Sequence, residues 1–207
     1  RTDMIRYAAL AFPLSFAGLP LYIHAPDFYA TDTVLTLSLI GAILMGIRIF
    51  DAAQDPLIGI FSDRYARFRP GIIAGSAVFM AAGFIMLFHP APGFTALWFA
   101  AAMLTTTTAF SVLMINLNAL GSLWSRDPAQ KTRITSWREG TGLVGLLAAA
   151  VLPVVIGFTV FSVLFAVILA GATWLCLQWH KKVFPHPNPP PQAEEGNDAS
   201  FSLPEEN

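Results

Sequence analysis

Charge is scarce in this 207-residue chain. Acidic and basic residues together make up 12% of it while 55% is apolar, against roughly 25% charged in ordinary soluble domains. Such a composition belongs to a protein that lives in lipid. The net charge of -1 offers no general attraction to nucleic acid or to an acidic surface. Cysteine occurs once, as Cys176 within an apolar run, so an internal disulfide is excluded and the residue reads as a small packing group. His24, His89 and His180 close apolar runs and His186 lies near the C-terminus, so no pair has metal-ligand spacing. A phosphate-cradling glycine loop and a serine nucleophile elbow are both missing.

What the chain does have is six apolar stretches, each about long enough for the roughly 20 residues that cross a hydrocarbon core as helix. They are placed at Tyr7 to His24, Thr33 to Asp55, Gly71 to Phe88, Phe94 to Trp124, Ile134 to Gly157 and Thr159 to Trp179. The fourth is longer than one crossing needs, and the boundary between fifth and sixth rests on Pro153 and Gly157 as turn signals. The five tryptophans lie mostly near the ends of these runs, where an aromatic belt is expected. The fold class expected is all-α: a six-helix transmembrane domain over residues 1–182.

Basic residues orient it. Arg1 and Arg6 precede the first run; Arg64, Arg67 and Arg69 separate the second from the third; Arg126, Lys131 and Arg133 separate the fourth from the fifth; Lys181 and Lys182 follow the sixth. The other three connections, among them the acidic "HAPDFYATD" and the turn-rich "HPAPG", hold none. Under the positive-inside rule this alternation predicts an even number of spans with both termini cytoplasmic. No cleavable signal peptide is evident, and the chain opens on Arg1 rather than Met, so part of its natural start is expected upstream. Residues 183–207, rich in proline and acid, read as a disordered cytoplasmic tail or linker, with a proline-rich ligand as the alternative.

Against this background the segment "RIFDAAQDPLIGIFSDRYARFRP" stands out. Arg48, Asp51 and Asp55 are spaced i, i+3, i+7, within about 60° of one another on a helix. Ionised groups in a span avoid lipid and face the bundle interior or a watery cavity. The arginine can neutralise one carboxylate, leaving the other for a small cation; alternatively both acids share one proton, because like charges at close range resist ionising together. The plainer reading is a structural ion pair locking two helices.

Beyond these residues, Gly59, then Asp63 and Arg64 with further arginines, resemble the signature between the second and third helices of the major facilitator superfamily, with Ala66 in place of its usual glycine. Preceded by "RIFDAAQDP", the segment is similar to the glycoside-pentoside-hexuronide:cation symporters, which carry an Arg and two Asp in this order on helix two. "QKTRITSWREGTGLVG", residues 130 to 145, resembles the family's fifth-helix start. The resemblance implies one half of a secondary transporter in a bacterial inner membrane, with lipid, a small polar solute such as a sugar or glycoside, and a second six-helix half or a dimer partner. By it Asp51 and Asp55 bind Na⁺ or H⁺, no other cofactor is implied, and Arg48, Asp63, Arg64 and Arg138 form a charge network that gates the cytoplasmic end. Arg138 would approach the helix-two acids; its alternative is an interfacial anchor paired with Glu139 or lipid phosphate. The sugar-binding acids of the family are absent here: no carboxylate lies between Asp3 and Asp27, and Met114 stands where the helix-four acid aligns.

The fourth run carries Thr105, Thr108, Ser111, Asn118 and Ser122 on one helical face, with Asn116 nearby. Thr108, Ser111, Asn116 and Asn118 are candidates to line a solute cavity, or equally to hydrogen-bond between helices. Thr141, Gly145 and Ala149 form a small-xxx-small row for close helix packing. Two other functions compete with transport. The four-residue repeat of Asp51, Asp55, Gly59 and Asp63 faintly resembles the metal-binding helices of CDP-alcohol phosphotransferases, although their "DGxxAR" element is missing. A membrane subunit without transport activity is the other.

Overall fold

The computed structural model describes residues 2–33, 35–91 and 93–184. Among them are six helices long and apolar enough to cross a membrane: Thr2–Asp32, Leu37–Arg64, Ala66–Leu87, Thr95–Trp124, Pro128–Ile156 and Phe158–Val183, called here the first to sixth spans. All but two residues of the expected tail lie outside the described residues.

Span number and order follow the hydropathy, but most of the helices are longer than their apolar runs. The second does not stop at Asp55: it passes through Pro56 and Gly59 to Arg64, so Asp63 and Arg64 are helical rather than in a loop. Pro56 removes one backbone donor, a loss that membrane helices absorb because neighbouring helices and local adjustment re-satisfy the freed carbonyl. The third begins before Gly71 because Pro70 occupies a first-turn position, where the missing N–H has no intrahelical partner to lose. The fifth starts at Pro128 under an Asp127 cap, whose carboxylate accepts from the amides of Ala129 and Gln130. It also runs past Pro153, so only Gly157 makes the turn, at φ 75° and ψ 156°, a conformation that suits glycine.

The first span is the irregular one. It combines α-helix at Thr2–Ala8, Ala11–Leu19 and Ala25–Asp32 with a π-helical turn at Pro20–His24, where Ala25 N–H reaches the Pro20 carbonyl. The wider turn lets the helix continue past Pro20 and Pro26, so Asp27 and Asp32 end a helix instead of standing in a loop.

Aromatic side chains fill the bundle. Phe84 stacks on Phe165 with centroids 4.0 Å apart, Phe88 lies parallel to Phe158 at 4.9 Å, and Phe16 stacks on Phe161 at 5.0 Å. Tyr7, Trp124 and Trp179 form a second cluster with centroids 4.7 to 5.6 Å apart. Trp179 is fully buried there, so this tryptophan packs the core and does not belong to an interfacial belt. Lys182 pairs with Asp3 at 2.8 Å, which puts the beginning of the first span and the end of the sixth at one end of the bundle. Outside, Met45, Ile49, Leu57 and Val78 are exposed, an apolar exterior that lipid stabilises and water would not.

The first and fifth spans come closest. A Cβ added at Gly142 would meet Ser15 Oγ at 2.6 Å, and one added at Gly145 would collide with the Phe12 carbonyl oxygen. Gly142, Gly145 and Ala149 are buried and form this contact, whereas Thr141 is only half-buried and bonds the carbonyl of Trp137 on its own helix. His24 Nε2 approaches the Ala149 carbonyl at 3.3 Å on the same seam. Gly145→Val is expected to lower the thermal midpoint by several degrees, the scale of an overpacking penalty of about 1–3 kcal/mol. Gly140→Val, which has open space, leaves it unchanged. A thiol-reactive dye reporting exposure of the buried Cys176 during heating measures both.

Candidate cation site

The second span presents its acids unequally. Asp51 is turned inward with 9% of its surface accessible, and the Gln54 side-chain amide, also 9% accessible, donates to Asp51 Oδ1 at 2.8 Å. The amide oxygen of Gln54 accepts from the Thr108 hydroxyl on the fourth span at 3.2 Å. A chain Thr108, Gln54, Asp51 therefore crosses between spans and holds the carboxylate in one orientation. Asp55, one turn on, is exposed on the open face of the bundle. The two acids expected to act alike thus have different surroundings: Asp51 meets the fourth span through Gln54, and Asp55 stays on the open face.

Arg48 pairs with neither acid: among the described residues it makes no ion pair, and its guanidinium lies over the Tyr22 ring, 3.8 Å from the centroid. Tyr22 belongs to the π-helical turn of the first span. The carboxylates are thereby left available, with oxygen donors of the hard kind that suit Na⁺, Li⁺ or a proton. Gln54 escapes a sequence search for charged groups; its signal was an amide one turn from Asp51 in an apolar helix, costly to bury without a partner.

The remaining candidates fall into three separate contacts. Asp63 pairs with Arg69 at 3.3 Å and not with Arg64; the Arg69 side chain is 4% exposed, also reaches the Ser62 carbonyl at 3.5 Å, and leaves its Nε without a partner. Arg64 is exposed. Asn116 is fully buried between spans, accepting from Ser62 Oγ at 2.6 Å and donating to the Val112 carbonyl at 2.8 Å. Arg138 bonds Asn118 Oδ1 and its neighbour Glu139, not the helix-two acids. It lines a polar cavity of about 120 Å³ with Tyr7, Asn118, Ser122, Lys131 and Thr135. Ser111 is half-buried and has no side-chain hydrogen bond among the described residues. Of the polar face on the fourth span, Thr108 and the adjoining Asn116 therefore hold helices together, while Asn118 and Ser122 open on the polar cavity.

Comparison with known proteins gives this arrangement its context. Residues 4–201 match the family described as MFS/sugar transport protein. The inner membrane symporter YicJ of Escherichia coli (strain K12) is 27% identical over 132 residues, 60% of this chain and 29% of that protein. The putative glycoside/cation symporter YagG of the same organism is 25% identical over 130 residues, 58% and 28% of the two chains. An uncharacterized symporter, sll1374, of Synechocystis sp. (strain ATCC 27184 / PCC 6803 / Kazusa) is 25% identical over 142 residues, 62% and 26%. The matched stretch thus spans under a third of each of these relatives. No solved structure matches the chain at a significant level. All three relatives are named as symporters and none as an enzyme, which removes the phosphotransferase reading. A multi-pass, all-helical membrane protein with these relatives, the chain belongs to the MFS/sugar transport protein family.

Proposed function

We propose that this chain forms the N-terminal six-helix half, over residues 1–182, of a symporter that couples entry of Na⁺ or H⁺ to uptake of a polar solute such as a sugar or glycoside. The observation that carries it is the inward-turned Asp51, held by Gln54 and Thr108 with no arginine across it. A carboxylate inside a membrane protein without a cationic partner is compensated by an ion it binds. Asp51 is the primary ligand in this reading, Asp55 completes the charge from the open face, and Gln54 is a positioning residue. Arg48 on Tyr22, Asp63 with Arg69, and Arg138 with Asn118 hold the spans around it. Asn118 and Arg138, at the polar cavity, are the best placed to meet solute, and Ser111 and Thr108 lie further along the same helix.

Symporters of this architecture bind solute between two six-helix halves that rock against each other. The reading therefore calls for a second half, or a second copy of this chain, packed on the face that exposes Asp55. The inner membrane is the compartment named for the relative YicJ, and both ends of the chain are placed on its cytoplasmic side by the positive-inside rule.

In the full chain, Na⁺, Li⁺ or a pH step is expected to change tryptophan fluorescence. Asp51→Asn abolishes the response and Asp55→Asn weakens it at least about tenfold, the factor that corresponds to 1.4 kcal/mol; an unchanged response in both variants contradicts the assignment. Gln54→Leu leaves Asp51 and Thr108 without their shared amide, at about 1–3 kcal/mol, and is expected to weaken cation affinity about tenfold with helicity unchanged. Orientation is checked with single cysteines in a Cys176→Ser background: Asp32→Cys and Gly93→Cys are labelled by an impermeant maleimide from outside intact cells, and Arg126→Cys only after permeabilisation.

A further inference from the structure

The seam between the second and third spans is open to the exterior. A groove of about 450 Å³ is lined by Leu57 and Phe61 from the second span, Gly71, Gly75 and Phe79 from the third, and Val112 from the fourth at its floor. A second hollow of about 290 Å³ shares Ser76, Phe79 and Val112 with it and continues along the third and fourth spans to Thr105 and Thr108. The walls are almost wholly apolar, and the glycines make the depth: a Cβ added at Gly71 or Gly75 would meet nothing within 4 Å.

The mouth of this groove differs in chemistry. The Phe61 ring lies tilted against Tyr65 with centroids 4.6 Å apart, and Phe68, three residues before Gly71, carries the Arg67 guanidinium over its face at 4.3 Å. Tyr65, Phe68, Arg64 and Arg67 are all exposed. Asp63 is already engaged by the buried Arg69, and among the described residues Arg64 and Arg67 make no ion pair, so they stand as positive charge beside an apolar channel with aromatic rings of the kind that gather at headgroup level.

We propose that this groove is a site for one anionic phospholipid, with an acyl chain in the channel and the phosphate on Arg64 and Arg67. Charge complementarity selects this occupant over a helix of a second half: an apolar helix face would cover the walls without meeting the two guanidiniums at the mouth, whereas an anionic phospholipid meets both. Arginine's planar fork matches phosphate oxygens, and juxtamembrane cations gain about 1 kcal/mol each near anionic headgroups. The bound lipid would brace the turn between the second and third spans, just beyond the helix that carries Asp51 and Asp55. The site depends on the membrane-embedded fold and not on the coupling ion, so its test is separate from that of the cation site.

The test uses the full chain purified in mild detergent and offered phosphatidylglycerol or phosphatidylcholine, with bound lipid counted by native mass spectrometry. The wild type is expected to retain one phosphatidylglycerol in preference to phosphatidylcholine. Arg64→Gln with Arg67→Gln abolishes the preference, about fivefold for each guanidinium removed. Gly75→Leu fills the channel and abolishes retention of both lipids; Gly71→Leu, which narrows the same channel nearer its mouth, does likewise and serves if the first variant does not fold. A phosphatidylglycerol carrying a diazirine in its acyl chain should label Phe61, Gly75 or Phe79. The proposal is overturned if the folded glycine variants retain lipid as the wild type does, if the arginine pair can be removed without loss of preference, if the label maps to other spans, or if chemical cross-linking finds a second copy of the chain seated on Gly75.

Discussion

A buried carboxylate in a membrane protein has to be compensated by something other than bulk water, and that requirement organises the second span. Asp51 meets it in part through Gln54, whose amide links it to Thr108 on the fourth span. Neutral hydrogen bonds orient a negative charge without cancelling it, so the carboxylate stays receptive to a cation. Moving Arg48 onto the Tyr22 ring is what preserves this state. A guanidinium on Asp51 would make a permanent ion pair and end the possibility of exchange. The π-helical turn that carries Tyr22 is thus linked to the chemistry of a helix it does not belong to.

The close seam of the first and fifth spans serves the same purpose at a distance. Gly145 lets the fifth span meet the backbone of the first at Phe12 and Gly142 lets it meet Ser15, while the aromatic stacks join the third and sixth spans to each other and the sixth to the first. The second span, by contrast, is the least enclosed of the six, with 17% of its most apolar window buried. Besides Ile40 and Ile47 in the apolar core, polar pegs fix it: Thr108 on Gln54, Asn116 on Ser62, and Arg69 on Asp63 at its end. Hydrogen bonds between membrane helices contribute about 0.6 kcal/mol on average, which is enough to locate a helix and small enough to let it move.

Much of this was legible in the sequence, and for identifiable reasons. Six spans follow from apolar length, and the Asp3–Lys182 pair puts the start of the first span and the end of the sixth at one end of the bundle, as an even number of spans requires. Span ends were not legible, because Pro56, Pro70 and Pro153 are stop signals calibrated on helices in water, whereas here neighbours absorb the missing bond or the proline sits in a first turn where there is none. The acidic pair was visible but its asymmetry was not, since that depends on where Thr108 of the fourth span arrives. Gln54 carries no charge to mark it in the sequence, although it contacts more of the site than Arg48 does. For Arg138 the pairing with Glu139 was one of two readings the sequence allows, and its second partner, Asn118 of the fourth span, depends on how the spans pack.

The most direct measurement of the central claim is an infrared difference spectrum of the isotope-labelled protein on exchange between Na⁺-free and Na⁺-containing buffer, or across a pH step. The account predicts a change in carboxylate stretching that disappears when Asp51 is replaced, accompanied by a shift in the side-chain amide band of Gln54. A spectrum in which neither group responds, while ion binding is still detected by another means, would contradict it.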